Sequence, residues 1–489
     1  MNSMKRLLLL FCLSVVLLGC NPDGPLTDTQ VMYKYVDDWI YQNMDQLYYW
    51  NTTLPAASNS HDNPADYFKT LKYKDDRFSA IFESYQDILN QLNGVSAAEI
   101  GFEFQLYLEN QYNDNVLGII TYVKRGTPAA GLGIKRGDMF RKINGQQITK
   151  SNYLTLINYM FDNTASSSIT FSTYQSGLFT DKTAVTVNKA VNYQEDPVYL
   201  DTVYTVHSKK VGYLVYNFFT NDSGDKTFKY DLELNTVIGQ FKQQNISELI
   251  VDLRYNHGGM ITSAVHLASM LVPNLTTNKV YTYTEYNQNY TDYFNSAAFK
   301  NKYSDNPFVT NFVTTIDVTT PATASYPVQN IGNSLQRIFF LTGKGTASAS
   351  EMVINGLEPF LPCVLIGDTT VGKNVGSTLV NDEQNSKNQW AFMPIVLKYF
   401  NKDHQSDFTK GFVPDYRIED DYSYLLGDTR EGLLSKAISQ ISGLSASPAK
   451  SAPVKRELFR SSINFKPIRD VLIIKNKTID SYFNQNRKQ

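Results

Sequence analysis

The chain has 489 residues, too many for one ordinary core; at roughly 150 residues per domain this length calls for about three domains. Its 42% hydrophobic and 19% charged residues are those of a globular protein, and a formal charge of −2 leaves no basic excess, which argues against a nucleic-acid partner. The 33 Tyr and 28 Phe bias the chain toward β-structure without indicating a function. The five histidines form no HExxH or other close ligand pair and there is no CxxC, so the expectation is no metal and no cofactor.

At the N-terminus, Lys5 and Arg6 precede the apolar run Leu7 to Leu18, which is too short to span a bilayer comfortably and typical of a secretory signal. The run ends in Leu17-Leu18-Gly19-Cys20, which resembles a bacterial lipobox. That resemblance implies that residues 1–20 are a lipoprotein signal, that cleavage precedes Cys20, and that acylated Cys20 anchors the chain to a lipid membrane. Asn21, rather than Asp, follows Cys20, which by the bacterial sorting rule favours the outer membrane of the cell envelope. A plain signal peptide with an incidental cysteine is the alternative. A lipidated Cys20 leaves Cys363 without an intrachain partner after processing. Cys363 opens the apolar stretch Cys363-Val364-Leu365-Ile366 and reads as a small buried hydrophobe.

Residues 21–95 read as a small helical cap, with aromatic and aliphatic residues at spacings of three and four from Val36 to Tyr48 and a loop from Pro55 to Pro64. From 96 to 189 short strands alternate with glycines. Gly101-Phe102-Glu103-Phe104, Val116 to Val123, the run Gly126-Thr127-Pro128-Ala129-Ala130 through Gly137-Asp138, and Ile143-Asn144-Gly145 together resemble a PDZ domain. The resemblance implies β-augmentation: a substrate's C-terminal tail adds a strand, its carboxylate held by backbone N–H groups near Gly101 and Phe102. Taken singly, each glycine is as well explained by an ordinary turn.

Residues 190–444 alternate strands and helices at βα spacing, which predicts a layered α/β domain. Strands are expected at Val211 to Tyr216, Glu248 to Leu253, Ile338 to Leu341 and Val364 onward, with helices at Asp231 to Gln243, Ile261 to Leu271 and Ser350 to Phe360. Thr276 to Ala324, rich in Asn, Tyr and Thr, reads as an insertion. Residues 445–489 open on a Ser/Ala/Pro linker and read as a C-terminal appendage.

The chemistry concentrates in two turns. Gly345-Thr346-Ala347-Ser348-Ala349-Ser350-Glu351 lies between a predicted strand and a predicted helix, where a serine projects from a tight turn and the helix N-terminus offers N–H groups to an oxyanion. Ser348-x-x-Glu351 is equally a capping box, which any such turn could use. Gly372-Lys373-Asn374 follows the strand at Val364, so neighbouring strands could carry Lys373 to Ser348; a lysine accepts the serine proton only when neutral, a state that burial favours. Ser-Ala-Ser-Glu followed by Gly-Lys at this separation resembles the Ser-Lys dyad of the C-terminal processing (tail-specific) peptidases, family S41. The segment Asp252-Leu253-Arg254-Tyr255-Asn256-His257-Gly258-Gly259 and Gly411-Phe412-Val413-Pro414-Asp415 resemble two further elements of that family.

The resemblance implies a serine endopeptidase with a ClpP/crotonase-like catalytic domain, acting on exported proteins or peptides through an acyl-enzyme. In it Ser348 is the nucleophile, Lys373 the general base, and the N–H groups of Ala349, Gly258 and Gly259 form the oxyanion hole. Two positions depart from the family pattern. Ser377 replaces a Gln that orients the amine, and Pro359, with Glu358 beside it, replaces an Asp; Ser377 retains a supporting hydroxyl. Three rivals are a P-loop at Gly367 to Lys373, which lacks a hydroxyl at Asn374, a Ser-His-Asp site using His257 or His266, and a non-catalytic PDZ lipoprotein on a degenerate protease fold.

Overall fold

The structure is a computed structural model and describes residues 26–58, 62–162, 165–304, 306–444 and 457–462, with the backbone of 471–473. The lipobox and Cys20, His61 and the Ser/Ala/Pro linker lie outside the described residues. No helix among the described residues is long and apolar enough to cross a membrane.

The N-terminal segment forms α1 (Asp28–Leu47) and α2 (Pro64–Leu71). A capping box between Thr27 and Gln30 starts α1, and its apolar face of Val36, Ile40, Met44 and Leu47 is buried. The segment is not purely helical, because Ala80–Phe82 is a strand paired with Ala391–Met393. The first β-rich unit contains β1 (Val95–Glu99), β2 (Phe102–Leu108), β3 (Val116–Val123), β4 (Met139–Ile143), α3 (Tyr153–Phe161) and β5 (Ser166–Gln175). It packs around its own core, which includes Phe102, Phe104, Phe140, Ile157 and Ile169.

The α/β part is built on β6 (Val198–Val206), β7 (Lys209–Tyr216), α4 (Lys229–Gln243), β8 (Glu248–Asp252), β9 (Gly258–Met260), α5 (Ile261–Leu271), β10 (Val280–Tyr286), β11 (Ile338–Thr342), α6 (Ala349–Leu357), β12 (Cys363–Gly367), β13 (Val375–Ser377), β14 (Ile395–Asn401) and α7 (Gly432–Ser442). Strands β7, β8, β11 and β12 pair in parallel, with β6 antiparallel at the edge. Both faces of this sheet are apolar, as parallel strands require. Leu249, Val251 and Phe340 face the core built with α4, α5 and α6, whereas Ile250, Phe339 and Leu341 face α7 through Leu433, Leu434 and Ala437. Burying each such side chain contributes roughly 1.5–3 kcal/mol, so a polar substitution on either face would open the layers.

The stretch from Thr276 to Ala324 is built into the sheet: β10 pairs with β14 from Thr282 to Tyr286, and its aromatic-rich composition serves a buried cluster including Tyr281, Tyr290 and Phe294. The C-terminal region is not a separate appendage. Its described parts form β15 (Leu458–Ser461), antiparallel to β2, and β16 (Val471–Ile473), between β9 and β13.

Candidate active site

Strand β11 ends at Thr342, and the chain turns through Ser348 into α6. Ser348 has φ 63° and ψ −112°, an unfavourable backbone conformation for a residue with a Cβ, which costs on the order of 1–3 kcal/mol and is held by its surroundings. The side chain is completely buried, and its Oγ has no hydrogen-bond partner among the described residues. What Glu351 holds is the backbone: its Oε2 accepts the Ser348 N–H at 2.8 Å.

The same carboxylate reaches the second turn. Glu351 Oε2 also accepts the Lys373 N–H at 2.8 Å, and Oε1 accepts the Gly372 N–H at 2.6 Å and the Thr370 hydroxyl at 2.5 Å. One buried side chain thereby joins the backbone of Ser348 to that of Lys373. Burial pushes the Glu351 carboxyl above its ordinary range, against the opposing pull of these four donors. On the far side, the Tyr399 hydroxyl stands 3.3 Å from Ser348 O and 3.1 Å from Lys373 O. Lys373 is 1% exposed, and its Nζ lies 5.1 Å from the centroid of the Phe78 ring. Arg77 donates to Gly372 O at 3.1 Å and Thr409 O at 3.0 Å, so the N-terminal segment buttresses the lysine loop. Gly372 is needed there: at φ +87° a Cβ would meet Thr409 O at 2.5 Å.

Asn256 anchors the third piece. Its side chain donates to Tyr216 O at 2.8 Å and accepts the Gly258 N–H at 2.8 Å, while its carbonyl accepts the Ala347 N–H at 3.2 Å. The Gly258 N–H is therefore committed to Asn256, while Gly259, the other expected glycine donor, is in register with Leu472 of β16. Gly259 has φ +139°, and a Cβ would sit 2.0 Å from Phe219 O. Ser377 is buried in β13, and its Oγ, like that of Ser348, has no hydrogen-bond partner among the described residues.

The rival residues lie in different surroundings. His266 Nδ1 is 2.7 Å from Asp231 Oδ2 in a buried polar cluster with Asn221. The His257 ring packs against Gly345, where a Cβ would meet it at 2.3 Å. Two of the N–H groups a P-loop would offer a phosphate, those of Gly372 and Lys373, are bonded to Glu351. Burial and the neighbouring Glu358 push the Cys363 thiol upward, and the residue packs on the main core.

Beside β9 lies a cavity of about 550 Å³ between the first β-rich unit and the α/β part, lined by His257, Gly258, Gly259, Tyr122 and Glu195. On its wall the Lys124 ammonium meets Glu99 at 2.8 Å, Glu103 at 3.1 Å and Glu195 at 2.7 Å, giving the cavity an acidic side. Glu99 also accepts the Gly101 N–H at 3.1 Å, and Phe102 is fully buried. The expected open carboxylate cradle at Gly101 and Phe102 thus already holds an internal carboxylate, because the acidic residue two positions earlier folds back onto it.

Arg77, Phe78 and Tyr399 carry no local signal in the sequence, because their contacts are with segments distant in the chain, and Glu351 reads there as a cap and as part of the Ser-Ala-Ser-Glu motif. Glu351 carried a signal, since a buried acid three residues after a candidate nucleophile can bind more than one N–H group.

A layered α/β scaffold thus carries a strained, buried serine joined through Glu351 to the loop of a buried lysine. The model of Peptidase family S41 matches residues 210–418, and that of the Peptidase S41 N-terminal domain matches residues 35–80. A CtpA-like serine protease of Staphylococcus aureus (strain N315) is 22% identical over 331 residues, 67% of this chain and 54% of that protein. Its counterpart in Staphylococcus saprophyticus is 23% identical over 404 residues, covering 82% of this chain and 67% of that protein. The chain thus spans about half the length of the first of these curated relatives. A crystal structure assigned as an S41 protease from Bacteroides fragilis NCTC 9343 shares the fold, with a TM-score of 0.65 at 24% identity over 83% of this chain and 97% of that one. The chain belongs to peptidase family S41.

Proposed function

We propose that the chain is a serine endopeptidase of the C-terminal processing type, cleaving exported proteins or peptides. The observation that carries this reading is that the Glu351 carboxylate joins the backbone of Ser348, strained and with a hydroxyl that has no hydrogen-bond partner among the described residues, to the backbone of the buried Lys373. Ser348 Oγ attacks the scissile carbonyl while the neutral Lys373 amine takes its proton. The Ala349 and Gly259 N–H groups receive the oxyanion, and the lysine returns the proton to the leaving amine. Water then hydrolyses the acyl-enzyme by the same base. Glu351 and Tyr399 hold the backbone without touching the reacting atoms; the Ser377 hydroxyl, which has no hydrogen-bond partner among the described residues, is kept as a supporting group in β13.

The unit from 96 to 189 acts as a PDZ-like module that recruits substrate tails. With the Gly101 N–H given to Glu99, strand addition along β2 is the contact the geometry favours over carboxylate capture at Gly101. Acylated Cys20 anchors the chain in the bacterial envelope, with the outer membrane favoured. Release of Cys20→Ala from detergent-extractable membranes tests the anchor.

The test of the chemistry is labelling by a fluorophosphonate probe together with cleavage of an unstructured protein. Both are expected in the parent and absent in Ser348→Ala and Lys373→Arg. Peptide binding without labelling in the parent would instead establish the non-catalytic lipoprotein.

A further inference from the structure

We propose that the chain's own C-terminal region, through Leu458–Ser461 and Val471–Ile473, is the resident occupant of the peptide-binding path and competes with substrate for it. The proposal rests on the peptidase reading of the same site and adds what fills that site at rest.

The sheet beside the candidate site runs β9, β16, β13, β14, β10 in order, so β9 and β13 do not pair with each other. Strand β16 alone joins the strand of the candidate oxyanion donors to the strand that follows Lys373. Neighbouring strands lie about 4.8 Å apart, so without β16 a slot one strand wide, roughly 10 Å between β9 and β13, would open there. An extended peptide filling that slot would be hydrogen-bonded on both edges.

The edge polarity is that of a substrate. Gly258 O accepts the Phe219 N–H at 2.9 Å, and the Met260 N–H donates to Phe219 O at 2.8 Å. Backbone groups alternate in direction along a strand, so the N–H and C=O of Gly259 turn to the opposite edge. There Gly259 is in register with Leu472. The N–H assigned to the oxyanion is thus directed at the backbone of the chain's own segment.

The second contact lies on the groove side of the first β-rich unit. Strand β15 pairs antiparallel with β2, with Leu458 opposite Tyr107 and Ser461 opposite Gln105. Ser462 Oγ accepts the Phe104 N–H at 3.2 Å and donates to Glu103 at 2.6 Å. The Phe459 ring meets Tyr153 of α3 edge-on at 4.8 Å between centroids. This is strand addition to a sheet edge with one aromatic anchor, the mode by which a separate peptide would bind. The described parts of the C-terminal region therefore occupy both the recruiting edge of β2 and the slot between β9 and β13.

The test uses the full chain with Leu472→Pro, which breaks the strand in the slot, and Phe459→Asp, which removes the anchor on Tyr153. In both, kcat/KM for peptide cleavage is expected to rise at least tenfold, mainly through a lower KM, and fluorophosphonate labelling of Ser348 to accelerate by a similar factor. A synthetic peptide of residues 457–475 should return Leu472→Pro to the parental rate. Unchanged or reduced turnover in folded variants, with no competition by the peptide, would mean that these strands are merely structural and overturn the proposal. Should Leu472→Pro fail to fold, Phe459→Asp decides alone.

If no form of the chain cleaves or labels, the peptidase reading fails separately. Anisotropy of the fluorescent peptide still decides occupancy: binding at least tenfold tighter to the variant than to the parent supports it, and equal binding refutes it.

Discussion

Two regions of this molecule bury carboxylates in opposite ways. At the candidate site Glu351 is satisfied by three backbone N–H groups and one hydroxyl, with no guanidinium, and burial pushes its carboxyl upward. Beneath the sheet, Arg254 bonds Glu431 at 2.6 and 2.9 Å and Asp252 at 2.8 and 2.9 Å, while Arg136 of the first β-rich unit pairs with Asp420. Burial alone would raise Glu431 and Asp420, yet Arg254 and Arg136 hold both below the ordinary range. The difference is instructive. Charge pairing ties one unit to the other, whereas the Glu351 carboxylate that joins the Ser348 and Lys373 turns is held by uncharged donors alone, three backbone N–H groups and a hydroxyl.

The largest effects break the comparison at the reacting groups. Ser348→Ala is expected to lower kcat by about six orders of magnitude. Lys373→Arg should fail as completely as Lys373→Ala, because arginine keeps its proton at any accessible pH. Parental kcat/KM should rise with pH, and His257→Ala and His266→Ala should retain most turnover. Steady-state cleavage and probe labelling check all of these, and substantial activity in Lys373→Arg would restore a histidine mechanism.

The next effect falls on the charged region. Removing one partner of a buried ion pair costs about 3–5 kcal/mol, so Glu431→Gln should lower the melting temperature severely while Ser348 and Lys373 are left in place. Because the folded values of Glu431 and Asp420 are depressed, their contribution is present above the ordinary values of 4.5 and 3.8 and is lost as pH falls below them. A melting-temperature series should show that acid loss, flattened in the variant.

Glu351 should behave with the opposite sign. Its folded value is raised, so its contribution is complete below the ordinary value of 4.5 and is lost as pH rises from there through the folded value. Glu351→Gln should remove that slope and, by loosening the register between the two turns, lower kcat by roughly 100-fold with KM little changed. An unchanged kcat would reduce Glu351 to a helix cap.

The smallest effect is at Tyr399. Tyr399→Phe removes one hydroxyl shared by Ser348 O and Lys373 O, costing about 0.5–1.5 kcal/mol of stability and less than tenfold in kcat. Calorimetry and cleavage rates measure both.

The layering was legible in the chain because strands buried on both faces carry continuous apolar runs, as in Leu249 to Val251, and because helices between them leave a longer period. The pairing made by the stretch from Thr276 to Ala324 was not legible because β10 is polar on one side and its pairing partner, β14, lies more than a hundred residues later. The Ser348 and Lys373 turns stood out only jointly, since each alone reads as a cap or a solvated lysine.

Local chemistry along the chain therefore set the strands, the helices and the residues able to do chemistry, because propensity, capping and apolar period act over a few neighbours. The tertiary structure decided what those residues meet. It alone turns half of a capping box into the Glu351 clamp, commits the Gly258 and Gly101 N–H groups, brings Arg77 and Phe78 onto the lysine loop, and lays β15 and β16 across the path a peptide would take. Each of these depends on hydrogen bonds between segments far apart in the chain, whose meeting only packing of the layers can enforce.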